Sequence, residues 1–536
     1  MFSGPVCGDV LDLSTCIPGS RKIEKEKTAR HGIVTVRKRK VKDRMKDEMQ
    51  RAETMREVLE RLEGRLAGQR VFRFMSDSGV KDIFCEQFFS DIRRTAFLIE
   101  DMDLSGKHIG IMGRNSYWWM VCLCAVFWTG SVAVLLDREL DEEELKERVG
   151  RVGVEALFFE EVPETEERCK TLNECVKRLS FEKVREACRS GKKSEKKVQK
   201  KGEDLGCIFF TSGTTATSKA VMMSEHGLSA GVCHNINDKK FHSILAILPF
   251  HHLSGFSSSL NALFLGAEVC IGEDQKYFYQ YLKELQPDYV FIVPSMLRML
   301  ARKIKNGGPN GRFLGWDLHL LNCGGADFRP EYLRIFLEHD ITVLQGYGAS
   351  EAGAIGFLWE MTEERPDTIG KPPAGLEIKI EDNELYLRSE SLMMGYYGDE
   401  EATRKALCEG WYATGDLCRM DEEGYLYLTG RKKNLIILSN GENISPEAIE
   451  KKLYRWEEIS EVLVKAEGNL ISALFFPKYP AAGTEEEKAQ IREKIREKIG
   501  EYNRSVPVYR QIQVHHFLEE PIDKTSMGKL IRYRKE

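Results

Sequence analysis

The sequence predicts an α/β fold built from two or more units, and three observations carry that expectation. The chain has 536 residues, long for one domain, with 42% hydrophobic and 30% charged residues, the balance of a soluble globular protein able to bury a large core. Residues 108–112 read as a strand, and the uncharged stretch 117–136 reads as a buried helix, a break at Thr129-Gly130-Ser131, and a β-branched strand at 132–136. Strand–helix–strand is the unit of α/β folds. Further strands at 243–248, 268–271, 289–293, 319–322 and 342–344 alternate with helical segments, and each ends near a polar or glycine-containing stretch.

Taken in order, residues 1–44 lack a basic start followed by an apolar core, so they are no secretory signal, and 21–46 are dominated by Lys and Arg. Two readings stand: a basic, disordered arm, or a start codon placed too far upstream. Apolar residues recurring at three and four predict amphipathic helices over 53–66 and 83–100. The 117–136 stretch is long enough to span a bilayer, but its glycine-containing break argues for helix plus strand, and no transmembrane segment is expected. The charged region 160–203, ending in a lysine-rich run from Gly191 to Gly202, reads as a mobile, solvated linker. A net charge of −5 gives no pull toward nucleic acid. The 14 cysteines form no C-x-x-C pair, which leaves a reducing cytoplasm as the expected compartment.

After the apolar run 207–210 comes Thr211-Ser212-Gly213-Thr214-Thr215-Ala216-Thr217-Ser218-Lys219. Its hydroxyls, glycine and lysine offer a polyphosphate many donors in one turn. The phosphate-loop fingerprint that ends in Gly-Lys-Ser/Thr at a helix start is absent, since Lys219 precedes Ala220-Val221. Alone, the stretch is equally an ordinary Ser/Thr-rich loop. In open α/β sheets ligands bind beyond the C-terminal ends of strands, which directs attention to 249–256 (with His251 and His252), 323–328 (with Gly324, Gly325 and Ala326) and 345–351 (with Gly346, Tyr347, Gly348, Ser350 and Glu351). Later come Thr414-Gly415-Asp416, Gly430-Arg431-Lys432-Lys433-Asn434, Ser439-Asn440-Gly441-Glu442, and Thr525-Ser526-Met527-Gly528-Lys529.

In this order the segments resemble the AMP-forming adenylating superfamily of acyl-CoA synthetases, non-ribosomal peptide synthetase adenylation domains and firefly-type luciferases, from about residue 53 to the C-terminus. The resemblance implies a large N-terminal domain of α/β layers around mixed sheets (45–432) and a small mobile α+β C-terminal lid (433–536). It implies ATP, Mg²⁺ and coenzyme A as cofactors and co-substrate. Thr211, Ser212, Gly213, Thr214, Thr215 and Lys219 are expected to hold the β- and γ-phosphates and stabilise leaving pyrophosphate. Glu351 is expected to bind magnesium, with Ser350 offering a further oxygen. Tyr347, between Gly346 and Gly348, is expected on the adenine face, with Gly324, Gly325 and Ala326 admitting base and acyl chain closely. Asp416 and Arg431 resemble the ribose pair, and Lys529 the catalytic lysine between substrate carboxylate and α-phosphate. Lys433 falls at the family's hinge and Gly441 at its pantetheine tunnel.

Departures are Ala216, Ser218 and Ala220, which replace Gly, Pro and Gly around Lys219, and Asn434 and Ile437, which replace Asp and Lys. His252 matches the histidine that acyl-CoA synthetases carry near the acyl carboxylate, and no carboxylate stands in 250–256 to pair with a substrate ammonium, which argues against an α-amino acid. Residues 256–265, small and apolar, fit the lining of a fatty or aryl acid pocket and equally a core helix, and the wording of 439–444 resembles long-chain fatty acyl members, which favours a fatty acid. The expected activity is acyl-CoA synthesis through acyl-AMP. The alternatives are loading of a separate acyl or peptidyl carrier protein, and a non-catalytic binder of nucleotide or acyl-adenylate.

Overall fold

A computed structural model describes residues 33–34, 52–196, 198–211, 218–234, 241–307, 317–324, 330–438, 442–480, 483–524 and 530–532. A seven-stranded sheet runs in the order Gly395–Tyr396, Lys219–Ser224, Leu205–Thr211, Val132–Leu136, His108–Met112, Ala156–Phe159, Lys177–Ser180. Its last five strands are parallel, and the first two pair antiparallel. An eight-stranded sheet runs Phe357–Glu360, Thr342–Tyr347, Leu320–Gly324, Tyr289–Ile292, Ser243–Ala246, Glu268–Ile271, Arg70–Ser76, Gly79–Phe84, parallel except at its two edges. A third, antiparallel sheet contains Glu377–Glu381, Glu384–Arg388, Trp411–Met420 and Leu426–Arg431, with Ile33–Val34 paired along its edge to Ile378 and Lys379.

Alternation along the strands explains the layering. Ala133 and Leu135 point into a core shared with Phe72, Ile244 and Leu320 of the eight-stranded sheet, whereas Val132, Val134 and Leu136 point to the outer face. The helix Tyr117–Trp128, capped where Ser116 Oγ accepts from Trp119 N at 3.1 Å, lies in that shared core with every residue but Trp118 buried. It is apolar all round because it is covered all round. Twelve residues rise about 18 Å, short of the roughly 30 Å of a bilayer core. Among the described residues no helix is long and apolar enough to cross a membrane.

The expected helices occur at Met55–Arg65 and Cys85–Asp101, but the hairpin Arg70–Ser76/Gly79–Phe84 between them was not anticipated. The larger correction concerns 160–203, which is no free linker. Pro163–Lys170 and Phe181–Ala187 are helices, and Lys177–Ser180 is the edge strand of the seven-stranded sheet. The basic run is also tied down: Ser194 N donates to Arg93 O at 2.9 Å, Lys200 Nζ lies 3.0 Å from buried Glu225, and Val198 packs against the open side of Gly130. Sparse apolar anchors among many charges escaped a composition-based reading.

Beyond Ile436 a separate core forms from Leu453, Val462, Phe475 and Ile495. It joins a three-stranded sheet (Ile459–Glu467, Leu470–Pro477, Ile512–Phe517) to the helices Pro446–Leu453 and Glu485–Ser505.

Candidate active site

A cavity of about 2240 Å³ opens beyond the strand ends, and among the expected site residues Thr211, His252, Gly324, Gly346, Tyr347, Gly348, Ser350, Glu351, Asp416, Arg431 and Lys433 line it. Ordinary ligand pockets hold about 300–1,000 Å³, so this one has room for a nucleotide and an acyl group together. Ser212, Gly213, Thr214, Thr215, Gly325, Ala326, Gly441 and Lys529 lie outside the described residues.

On either side of residues 212–217 the phosphate stretch is bounded by two paired strands, not by a strand and a helix. Leu205–Thr211 pairs antiparallel with Lys219–Ser224, which sets Thr211 directly across from Lys219. Ser218 closes this hairpin from within: its Oγ donates to Thr211 O at 2.7 Å, and its own carbonyl accepts from Arg151 Nη1 at 2.9 Å. Ala220 sits in extended backbone with its side chain in the outer core, 2% exposed, so a glycine is not required there. These contacts account for two of the departures around Lys219.

Lys219 itself does not line the cavity; its ammonium lies over the Tyr396 ring, 4.4 Å from the centroid. Tyr396, which the sequence reading did not single out, links Lys219 to Glu351. Its hydroxyl donates to Glu351 Oε1 at 3.1 Å, and burial followed by the Glu351 charge keeps that hydroxyl protonated. Glu351 rides on the short turn Ser350–Ala352, and its carbonyl accepts from Met393 N at 2.9 Å. Gly353 ends the turn at φ 74°, where a Cβ would fall 1.8 Å from Ser391 O. No side chain but hydrogen fits there. Among the described residues no three His, Cys, Asp or Glu side chains cluster as a metal cage. A single carboxylate suits a hard cation that takes its remaining oxygens from phosphates and water.

Asp416 and Arg431 face each other across the antiparallel pair Trp411–Met420/Leu426–Arg431. Asp416 is 5% exposed; its Oδ1 accepts from Arg431 Nε at 2.6 Å and its Oδ2 from the Tyr347 hydroxyl at 2.7 Å. Burial, then Asp416, raises the Tyr347 phenol well above its ordinary value, so it remains a donor. The carboxylate therefore holds both an arginine and the tyrosine expected at adenine, with lone pairs left for further donors. Lys433, in the turn Lys432–Asn434, has its pKa lowered by burial and then by Arg431.

His252 is the N-cap of the helix Leu253–Leu265. The loop that carries it is fixed by a residue the sequence reading did not single out. Asn115 Oδ1 accepts from Phe250 N at 2.8 Å while its Nδ2 donates to Leu248 O at 2.8 Å. Gly255 is equally demanded, since a Cβ there would lie 2.1 Å from Pro249 O. His251, behind His252 with ring centroids 4.2 Å apart, is buried, and burial lowers its pKa despite Asp137 Oδ2 at 3.4 Å.

The helix Pro446–Leu453 meets the larger part of the chain where Lys451 Nζ reaches Asp367 Oδ1 at 2.9 Å, and within 433–536 Asn434 Nδ2 donates to Glu447 Oε1 at 2.6 Å. Ile437, in a position often lysine, is 74% exposed. A bridge between Lys524 and Leu530 brackets 525–529, and both residues line the cavity.

A cavity lined by Thr211 and Ser218 at the ends of paired strands, by Arg431 and Tyr347 around the buried Asp416, and by the Glu351 carboxylate has the make-up of a nucleotide site of the adenylating kind. The chain belongs to the AMP-binding enzyme family, whose description matches residues 71–397, and residues 433–536 match the AMP-binding enzyme C-terminal domain. It is 28% identical over 374 residues to a 2-succinylbenzoate–CoA ligase of Listeria innocua serovar 6a, which covers 66% of this chain and 74% of that protein. It is 23% identical over 460 residues to the long-chain-fatty-acid–CoA ligase FadD15 of Mycobacterium bovis, covering 74% and 77%. Its fold is similar to that of O-succinylbenzoate coenzyme A synthetase (MenE) from Bacillus subtilis in complex with AMP, with a TM-score of 0.72, 20% identity, and 89% and 97% of the two chains covered. ATP-bound MatB from Rhodopseudomonas palustris gives a TM-score of 0.76 at 18% identity over 89% and 97%.

Proposed function

We propose that this protein activates a carboxylic acid by attack of its carboxylate on the α-phosphate of ATP, releasing pyrophosphate, and then passes the acyl group from the adenylate to the thiol of coenzyme A. One observation carries the reading: the Asp416 carboxylate, gripped by Arg431 and Tyr347, shares one cavity with Thr211 of the phosphate hairpin and with His252.

Asp416 and Arg431 bind the ribose, and Tyr347, held through its hydroxyl, presents its ring to adenine. Thr211 and residues 212–215 receive the terminal phosphates, where their donors stabilise pyrophosphate as its charge develops. Glu351 would hold magnesium, which would supply charge neutralisation at the phosphates. His252 orients the incoming carboxylate, and Lys529 draws it toward the α-phosphate. The chain divides for this purpose into an N-terminal domain over 45–432 and a lid over 433–536 that turns about Lys433 to present Lys529 and then Gly441.

For the acid, a fatty acid is supported by the likeness to FadD15 and by the absence of a carboxylate in 250–256. An oxo-substituted aryl acid is supported by the likeness to 2-succinylbenzoate–CoA ligases. The test is acid-dependent AMP release, followed by mass spectrometry, with ATP, magnesium and a panel of fatty, aryl and amino acids, with and without coenzyme A. AMP and acyl-CoA from one acid class support the reading. Adenylate that accumulates despite coenzyme A redirects it to a carrier-protein thiol, and measurable ATP binding without AMP from any acid overturns it.

A further inference from the structure

The helix Leu253–Leu265 turns a different face to the cavity from the one its composition suggests. Phe256, Leu260 and Leu263 are at most 1% exposed and join the shared core, while Ser254, Ser257, Ser258 and Asn261 line the cavity, with Leu253 and Leu265 at the two ends of that face. Asn261 Nδ2 is committed to Val232 O and His234 O, at 2.7 and 2.9 Å. Ser258 Oγ likewise donates to Gly255 O at 3.1 Å, so the groups on this face that an alkyl chain would desolvate are the Ser254 and Ser257 hydroxyls.

Facing it is a buried polar pair on the eight-stranded sheet. Tyr289 registers with Leu320 and Phe291 with Asn322, so Tyr289 and Asn322 are diagonal neighbours on one face. They are 7% and 6% exposed, and Asn322 Nδ2 donates to the Tyr289 oxygen at 3.3 Å. That bond uses the tyrosine as acceptor and leaves its proton to give. Asn322 Oδ1 has no hydrogen-bond partner among the described residues. Exchanging the amide oxygen and nitrogen does not balance the pair: Tyr289 then donates to the oxygen, and the amide protons are left over. In either arrangement the pair keeps an unmet donor, and both residues line the cavity.

We propose that Tyr289 and Asn322 are specificity-determining residues that receive an uncharged hydrogen-bonding group, an oxo, hydroxyl or amide, carried within the acyl part of the acid. The proposal rests on the adenylating reading above. Flat apolar surface stands beside the pair in Phe291 and in Phe241, whose ring centroid is 4.7 Å from that of Tyr289. The substrate class is therefore a hydrocarbon or aryl acid with a polar substituent, not a plain alkyl acid. A pocket built to hydrogen-bond its substrate discriminates strongly against analogues that lack the group, because its own buried polar atoms are then left unpaired.

The experiment uses the full chain and pairs of acids that differ only by the polar group: 4-oxo-4-phenylbutanoic against 4-phenylbutanoic acid, and 4-oxo-octanoic against octanoic acid. AMP formation gives kcat/KM, and calorimetric titration of each acid in the presence of AMP gives affinity without turnover. We expect the oxo acid to be favoured at least tenfold in one pair or both. Tyr289→Phe and Asn322→Leu should bring the ratio toward one by raising the KM for the acid and not for ATP, with thermal unfolding confirming that the variants fold. A plain acid preferred in both pairs, or a ratio that neither folded variant moves, overturns the proposal. AMP release failing with every acid overturns the adenylation reading instead, and the calorimetric ratio then decides the polar pair by itself.

Discussion

Lys219 and Tyr396 are joined by a cation–π contact, with the ammonium 4.4 Å from the ring centroid, and the far end of the same tyrosine holds Glu351 by a 3.1 Å hydrogen bond. One side chain thus spaces the Lys219 ammonium from the Glu351 carboxylate. Tyr396→Phe keeps the ring and deletes the hydrogen bond. Bonds to charged groups contribute about 1.5–3 kcal/mol, so kcat/KM for ATP should fall roughly tenfold or more, with a raised magnesium requirement. Tyr396→Leu should cost a further few-fold through the lost cation–π contact, about 0.5–2 kcal/mol. Indistinguishable Phe and Leu variants in a steady-state ATP titration would show that the ring contributes nothing.

Asp416→Asn tests the ribose cluster. The substitution leaves Arg431 without its counter-charge and weakens the acceptor for Tyr347. Breaking a buried pair costs about 3–5 kcal/mol, and Arg431 is 42% exposed, so about 2 kcal/mol is the reasonable expectation. ATP affinity should drop roughly 30-fold while the KM for the acid stays within a factor of two. Parallel loss of both affinities would mean that Asp416 supports the fold and not the nucleotide.

Gly255→Ala places a methyl group 2.1 Å from Pro249 O and 2.7 Å from Pro249 C, both backbone atoms that cannot rotate away. The helix start must shift, and His252 with it. Destabilisation of about 2–4 kcal/mol and a loss of acid-dependent activity larger than the loss of ATP binding are expected, read by denaturant unfolding and nucleotide titration. A variant with native stability and kinetics would contradict the assigned geometry.

His251 sets a pH dependence of stability. Burial lowers its folded-state pKa, so the unfolded chain binds the proton more readily than the native one. Its contribution is fully present above the unfolded value near 6.5 and is lost as pH falls from there toward the lower folded value. The difference in unfolding free energy between the native protein and His251→Gln should therefore shrink on going from pH 7.5 to pH 5.5. A pH-independent difference would show that His251 does not titrate as its burial dictates.

Lys529→Ala should abolish adenylate formation and leave thiolysis of supplied acyl-adenylate largely intact. Equal loss in both half-reactions, each followed by mass spectrometry, would contradict a lid that presents Lys529 for the first step only.

By itself the sequence determined the helix Tyr117–Trp128 and the strand Val132–Leu136, because a long uncharged run with one glycine break admits few other solutions. It placed five strands of the eight-stranded sheet to within three residues at each end, and it singled out the nucleotide motifs through residue types that few other tasks require. Asp416 and Arg431, read as one ribose pair from separate motifs, do stand 2.6 Å apart. What only the tertiary structure decided depends on contacts between distant segments. Tyr396 reaches Glu351 across 45 residues, and Asn115 pins Phe250 across 135. A local pattern carries no record of such pairings, since each partner is chosen by where the sheets bring it. The acyl wall is the clearest case: periodicity shows that Leu253–Leu265 has two faces, but only packing against the shared core assigns Phe256 and Leu260 to the interior and leaves Ser257 and Ser258 to the cavity.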